Sequence, residues 1–183
     1  MRLLLHHCCA PCSPMIVAAL KDTYQIESFW FNPNIRPDHE YGARKEAWVR
    51  YVAGLGFTAH EGPSFFDARW DGTSADADPE RCRFCYEVRL EETARTAQRL
   101  GMDAFSTTLL ASPYQNHECI KQLAQSVASR HQVRFVYMDV RARYHEGKNH
   151  MKQNGYYIQK YCGCLPSHAE RVNAKKIKRG VTA

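Results

Sequence analysis

The chain has 183 residues, which one domain fills and which can bury a core without disulfide staples. Its formal net charge of +6 is moderate, compatible with a polyanionic partner and equally with a solvated helix face and a frayed tail. No apolar stretch is long enough to span a bilayer and no hydrophobic leader follows Met1, so no membrane partner is expected and the expected compartment is the reducing cytoplasm.

Along the chain, short apolar runs alternate with helical periods, the pattern of a mostly parallel α/β sheet with flanking helices. A first strand covers Arg2 to His7 and leads at once into a cysteine-bearing loop. Ser13 is placed to cap a helix with Pro14 at its first position, where the missing N–H costs nothing. A second strand, Ile26 to Phe31, ends at the turn Asn32-Pro33-Asn34. Asp38 opens a longer helix with Tyr41, Trp48, Val52 and Leu55 on one stripe and Gly56 past its end. A weak strand near Phe57 to His60 precedes a loop from Gly62 to Glu80, long enough to suggest a functional role. Asp78-Pro79 starts the next helix, which carries Cys82 and Cys85 and stops at Gly101.

A fourth strand follows from Ala104 to Leu110, then a helix from about Asn116 to Arg130 and a fifth strand, Phe135 to Val140. Tyr144 to Leu165 reads as a less regular segment before a final basic helix at about 166–180. No repeat or linker divides the chain, so residues 1–183 are expected to form a single domain.

Open parallel sheets bind ligands at the carboxyl ends of their strands, where loops run into helix N-termini. Cys8, Cys9 and Cys12 follow the first strand at that edge. Cys82 and Cys85 begin a helix at the same edge in a right-handed βαβ unit, so the two groups are expected to face each other.

Seven of the 8 cysteines lie in three clusters: Cys8-Cys9-Ala10-Pro11-Cys12, Cys82-Arg83-Phe84-Cys85 and Cys162-Gly163-Cys164. In a reducing compartment such clustering points to metal or redox chemistry rather than structural disulfides. The sulfurs of Cys82 and Cys85, three apart on a helix, can reach one centre, and the vicinal Cys8 and Cys9 suit a polynuclear cluster. Four thiolates also suit tetrahedral zinc, so both metals stay open. Cys12 is either a spare ligand or a thiol at a helix start, where the dipole lowers its pKa.

Cys162 and Cys164 could close a small strained, easily reduced disulfide ring around Gly163, or form a second metal-binding pair. Cys119 stands alone and reads as packing. Asp139, near the end of the fifth strand, is a candidate proton donor or iron ligand, with loop capping as the alternative. Of His6 and His7 at least one is expected to be a satisfied core histidine. Tyr114-Gln115-Asn116-His117 offers stacking and hydrogen-bonding groups suited to a nucleobase, as do Asn32 and Asn34 unless they only build their turn. Basic residues gather at Arg171, Lys175, Lys176, Lys178 and Arg179, and again at Arg36, Arg44, Lys45 and Arg50; the first group is the expected contact for an RNA backbone.

The opening Leu3-Leu4-Leu5-His6-His7-Cys8-Cys9-Ala10-Pro11-Cys12-Ser13 resembles that of the QueH-type epoxyqueuosine reductases. The likeness continues through Phe31-Asn32-Pro33-Asn34-Ile35, Arg81-Cys82-Arg83-Phe84-Cys85-Tyr86, Phe105 to Leu110 with Ser112 to His117, and Gln159-Lys160-Tyr161-Cys162-Gly163-Cys164. The resemblance implies a Rossmann-like fold akin to nucleotide α-hydrolases. It implies reductive removal of the epoxide oxygen from epoxyqueuosine in a tRNA anticodon stem-loop, the last step of queuosine synthesis. It further implies that Cys8, Cys9, Cys82 and Cys85 bind a [4Fe–4S] cluster and that Cys162 and Cys164 form a redox-active disulfide. An additional mononuclear iron and an external electron donor fit the same picture, with Asp139 or a nearby histidine as the weaker assignment for the proton donor. The loop after the first strand carries thiols and no glycines, which argues against a tRNA sulfur-transferase or nucleotide-dependent ligase on this sheet. A zinc-thiolate RNA-binding module without catalysis is the remaining alternative.

Overall fold

The computed structural model describes residues 1–71 and 79–178. Five parallel strands form one sheet: β1 (Arg2–His6), β2 (Gln25–Trp30), β3 (Ala59–Glu61), β4 (Ala104–Thr107) and β5 (Arg134–Phe135), in the order β3-β2-β1-β4-β5. The strand order reverses between β1 and β4, where the register pairs Leu3 with Ala104 and His6 with Thr107. That is the switch point at which a parallel sheet opens a crevice at its carboxyl edge. β1 is central, and Leu3, Leu4 and Leu5 are fully buried on both faces, as a continuous apolar run in a parallel sheet requires.

Six α-helices flank the sheet among the described residues: α1 (Ser13–Leu20), α2 (Asp38–Leu55), α3 (Pro79–Arg99), α4 (His117–His131), α5 (Tyr144–Gln153) and α6 (Leu165–Lys178). α2 ends at Gly56, whose φ of 67° is the left-handed conformation that closes a helix. Trp48 and Val52 of its expected stripe are buried and Leu55 is exposed. α3 packs on β1 and β4 and against α4, bringing its cysteine-bearing start to the edge where β1 ends. No described helix is long and apolar enough to cross a membrane.

Four local expectations change. Ser13 is the first residue of α1 rather than its cap, and its hydroxyl instead donates to the Cys9 carbonyl at 2.9 Å. The fourth strand stops at Thr107, because residues Thr108–Ala111 wind into a 3-10 turn. The fifth strand ends at Phe135, so Asp139 lies in irregular backbone beyond the sheet. The segment read as irregular contains α5, whose Gly147 lets it lie close on the cysteine turn: a Cβ there would stand 3.1 Å from Met15 Cγ and 3.5 Å from the Pro11 carbonyl. Asp78 and Arg179 lie outside the described residues.

Candidate functional site

The chain leaves β1 at His6 and turns through Cys8 and Cys9 into a 3-10 turn, Ala10–Cys12. The backbone N–H of Cys8 donates to Thr108 Oγ1 at 2.9 Å and the Thr108 hydroxyl points back to Cys8 Sγ at 3.2 Å, tying the ends of β1 and β4 together. The sulfurs of Cys8, Cys9 and Cys12 lie within 4.8 Å of one another, and those of Cys8 and Cys9 are 3.6 Å apart. Hydrogen bonds from Cys12 and Cys9, helped by Thr108 and the Arg89 guanidinium, hold the Cys8 thiol well below its ordinary pKa. Burial pushes Cys9 up, and the hydrogen bond to Cys8 does the same for Cys12. One thiolate supported by two thiols is a ready start for binding a soft metal.

Cys82 and Cys85 stand with Cys162 and Cys164 around a small space of about 20 Å³, walled by Trp70, Asn34, Tyr86 and Arg89. Burial raises the Cys82 thiol and pushes Cys85 up to about 12. Trp70 is fully buried against Cys85 and Cys164 and packs on Phe84, ring centroids 5.5 Å apart at a tilt of 31°. The described part of the long loop thus forms a wall of the cysteine site. Arg89, one turn beyond Cys85, is 2% exposed; its Nε donates to the Cys85 carbonyl at 3.2 Å and its Nη2 has no protein partner.

The Cys162-Gly163-Cys164 loop is fixed from α2 and the turn before it. Arg44 is buried, pairs with Glu40 at 2.7 Å and donates to the carbonyls of Cys162 and Tyr161. Tyr157 closes the group through its hydroxyl on Glu40 at 2.5 Å. The backbone N–H of Arg36 donates to the Gly163 carbonyl at 2.8 Å. Gly163 has φ of +147°, and a Cβ there would fall 2.8 Å from Asn34 Nδ2, so both conformation and space demand glycine.

A larger cavity of about 570 Å³ opens above these groups, with Cys8, Cys9, Cys12 and Cys162 on its walls beside Arg44 and Arg89. Arg89, Gln115 and Cys162 border both spaces, so the two cysteine groups line adjoining spaces. Tyr86 donates to Gln115 Oε1 at 2.9 Å, and the Gln115 amide faces Cys162 Sγ at 3.8 Å. The volume is that of a small-molecule pocket and accommodates a nucleoside. The donor set fits a metal–sulfur group: the Cys8, Cys9 and Cys12 sulfurs lie close enough to share a metal, and Cys82, Cys85, Cys162 and Cys164 line the neighbouring space. The buried Arg89 guanidinium, with its Nη2 unpartnered among the described residues, supplies the positive charge that an anionic thiolate centre requires.

Other expected residues fall differently. Asp139 does not line either space. Arg141 grips both its oxygens at 2.8 and 2.5 Å and holds its pKa at about 2, a geometry that favours the loop-capping alternative over the proton donor. Both His6 and His7 are satisfied core histidines. His6 is bonded to Thr107 Oγ1 and the Phe31 carbonyl, His7 to Ser13 and Ser28, and burial lowers them to about 4 and about 3. Asn32 donates to the His7 carbonyl at 2.8 Å and Asn116 caps α4, so both build structure. Tyr114 and Gln115 do reach the cavity. Arg171 also lines it, whereas Lys175 and Lys176 lie further along α6, exposed. Arg89 and Trp70 are site residues that no local motif announces. Arg89 was within reach, since Cys82, Cys85 and Arg89 share one helical face.

The family model described as Epoxyqueuosine reductase QueH matches residues 3–170. This chain belongs to that family. QueH relatives include the epoxyqueuosine reductase of Dehalococcoides mccartyi, 37% identical over 172 residues, which cover 93% of this chain and 94% of the relative. Another, from Thermotoga maritima, is 34% identical and covers 92% and 91%. The U34-tRNA thiolase NcsA from Methanococcus maripaludis, solved with its [4Fe-4S] cluster, superposes with a TM-score of 0.59 at 11% identity over 98% of this chain and 67% of its own. That likeness establishes the shared fold, as does a predicted tRNA methyltransferase subunit from Methanocaldococcus jannaschii, with a TM-score of 0.52 at 14% identity over 98% of this chain and 88% of its own. The fold of the QueH chain is the expected Rossmann-like one.

Proposed function

We propose that this chain reduces epoxyqueuosine in the anticodon loop of tRNA to queuosine, the reaction for which its relatives are named. The observation that carries this reading is a nucleoside-sized cavity with thiols on its walls. Removing the epoxide oxygen takes two electrons and two protons and yields an alkene and water. Oxidation of a dithiol to a disulfide releases two electrons and two protons, so Cys162 and Cys164 balance the reaction when an external donor re-reduces them.

Cys162 is exposed at the cavity wall and Cys164 is buried behind it. Although the residue is exposed, desolvation at the cavity wall raises the Cys162 thiol above its ordinary pKa, so it would carry a proton toward the oxygen that must leave as water. Cys8, Cys9, Cys82 and Cys85 would hold a [4Fe–4S] cluster, with Cys12 left over for a further iron. When bound, such a cluster supplies one-electron transfer at a potential tuned by its surroundings. Arg89 would stabilise its negative charge, and Trp70 would exclude water from the thiol side. The thiols require a reducing compartment, consistent with a cytoplasmic site of action.

The test is anaerobic incubation of iron-loaded protein with an epoxyqueuosine-containing anticodon stem-loop and a reductant, followed by mass analysis of the nucleosides. The expected product has lost one oxygen. A colourless protein with stoichiometric zinc and no conversion would instead leave an RNA-binding module.

A further inference from the structure

The cavity has a charged rim that the thiol chemistry does not use. Six cations line it and no carboxylate does. Arg44 is paired with Glu40 and Arg89 lies deep inside, which leaves Lys148, Lys152, Lys160 and Arg171 toward the opening. None of these four makes an ion pair among the described residues, in contrast to the cations around them. Arg141 is neutralised by Asp139, Arg143 by Glu146, Arg36 by Asp71 and Lys45 by Glu61. Charge left unpaired beside a cavity attracts an anion; charge already paired contributes little.

Geometry adds to the charge. Lys148 and Lys152 are one turn apart on α5, so they project from one face of the helix. Gly147, next to Lys148, lies close on Met15 and Pro11, where a Cβ would be tight, so α5 carries these lysines near the cysteine turn. Beside them Tyr114 is 76% exposed, its ring steadied edge-on by Tyr144 at 5.8 Å and 87°. An exposed aromatic ring next to a basic rim is the pairing that binds single-stranded nucleic acid, where bases stack and phosphates meet lysines.

We propose that Lys148, Lys152, Lys160 and Tyr114 form the RNA-docking surface. They would hold a single-stranded loop whose target nucleotide is turned into the cavity while a neighbouring base stacks on Tyr114. This rests on the reductase reading above and names the surface that presents its substrate. It moves the main backbone contact from the far part of α6 to α5 and the segment around Lys160. A paired stem is a poor ligand, because its bases cannot leave the stack without an added cost.

The test is binding of a labelled, unmodified anticodon stem-loop to the iron-loaded protein at several salt concentrations. The variant K148Q/K152Q/K160Q is expected to bind about tenfold or more weakly, and its log–log salt slope should fall by ~2, since each phosphate contact on a single strand contributes about 0.7. Tyr114→Ala is expected to weaken binding about five- to hundredfold with the slope unchanged, as loss of a stacked base does. The variant K175Q/K176Q should match wild type. Unchanged affinity and slope in the triple variant, with wild type binding normally, would overturn the docking surface and leave the reductase reading standing. Equal binding of a fully paired hairpin would overturn the single-stranded mode. A wild-type protein with no affinity for the stem-loop would sink both readings.

Discussion

Arg44 holds Cys162 by its backbone: the guanidinium donates to the Cys162 carbonyl at 2.9 Å while the other nitrogen reaches Tyr161 at 3.0 Å. One buried side chain on α2 therefore sets the path of the loop that carries the dithiol. Lysine in its place would keep the charge beside Glu40 but lose the planar fork. Arg44→Lys is expected to destabilise the protein by about 1–3 kcal/mol, from two lost hydrogen bonds to a charged donor. Urea unfolding of the iron-loaded protein gives this number, and a stability equal to wild type would mean the clamp is dispensable.

Gly163→Ala introduces a Cβ 2.8 Å from Asn34 Nδ2 on a residue at φ +147°. The loop must move, so epoxide reduction should fall at least about tenfold, the effect of displacing a reacting group by an ångström. Cys162→Ser and Cys164→Ser should retain iron yet abolish turnover. Iron analysis beside the nucleoside assay separates these results, and loss of iron in either serine variant would make the pair a metal site.

Cys8→Ala, Cys9→Ala, Cys82→Ala and Cys85→Ala are each expected to lose cluster iron and its visible absorption. Cys12→Ala should keep that absorption, although its sulfur lies within 4.8 Å of the Cys8 and Cys9 sulfurs. Bleaching of the Cys12 variant together with full colour in a Cys82 or Cys85 variant would move the ligand set toward the first cysteine turn.

Asp139→Asn should leave turnover within about threefold, the scale of a surface change away from the reacting groups. With its folded pKa depressed to about 2, Asp139 is ionised across roughly pH 5 to 8 and contributes no inflection there. Its share of stability is present above the unfolded pKa and is lost as pH falls through the folded value. A pH–rate profile that loses an acid limb in the asparagine variant would restore Asp139 as a proton donor.

The sheet was legible because β1 holds an apolar run, β4 is short and β-prone, and the helices begin with a cap, an acid or a proline. The meeting of residues 8–12 with the start of α3 followed from parallel topology alone. The fifth strand reads too long because aromatic and β-branched residues from Phe135 to Val140 look like strand, whereas backbone pairing stops at Phe135 and leaves Asp139 beyond the sheet. α5 was missed because its Gly147 and sparse apolar positions weaken the helical pattern, although that glycine lies close on the cysteine turn. Arg44 was counted among surface cations, since a guanidinium buried by Glu40 and two distant carbonyls leaves no local sequence signal.

The pairing of β1 with β4 joins Leu3 to Ala104, and the site draws on thiols from the first dozen residues and on Cys162 near the other end. On the ribosome, β1 can pair with β2 early, but its second edge stays open until about a hundred residues have emerged. During that interval its buried leucines and the adjacent thiols lack their cover, which makes the nascent segment the one most exposed to aggregation and oxidation. Ligands at Cys8, Cys9, Cys82 and Cys85 would all be present well before Cys162 and Cys164 are made, so the redox pair would be the last part of the site to arrive.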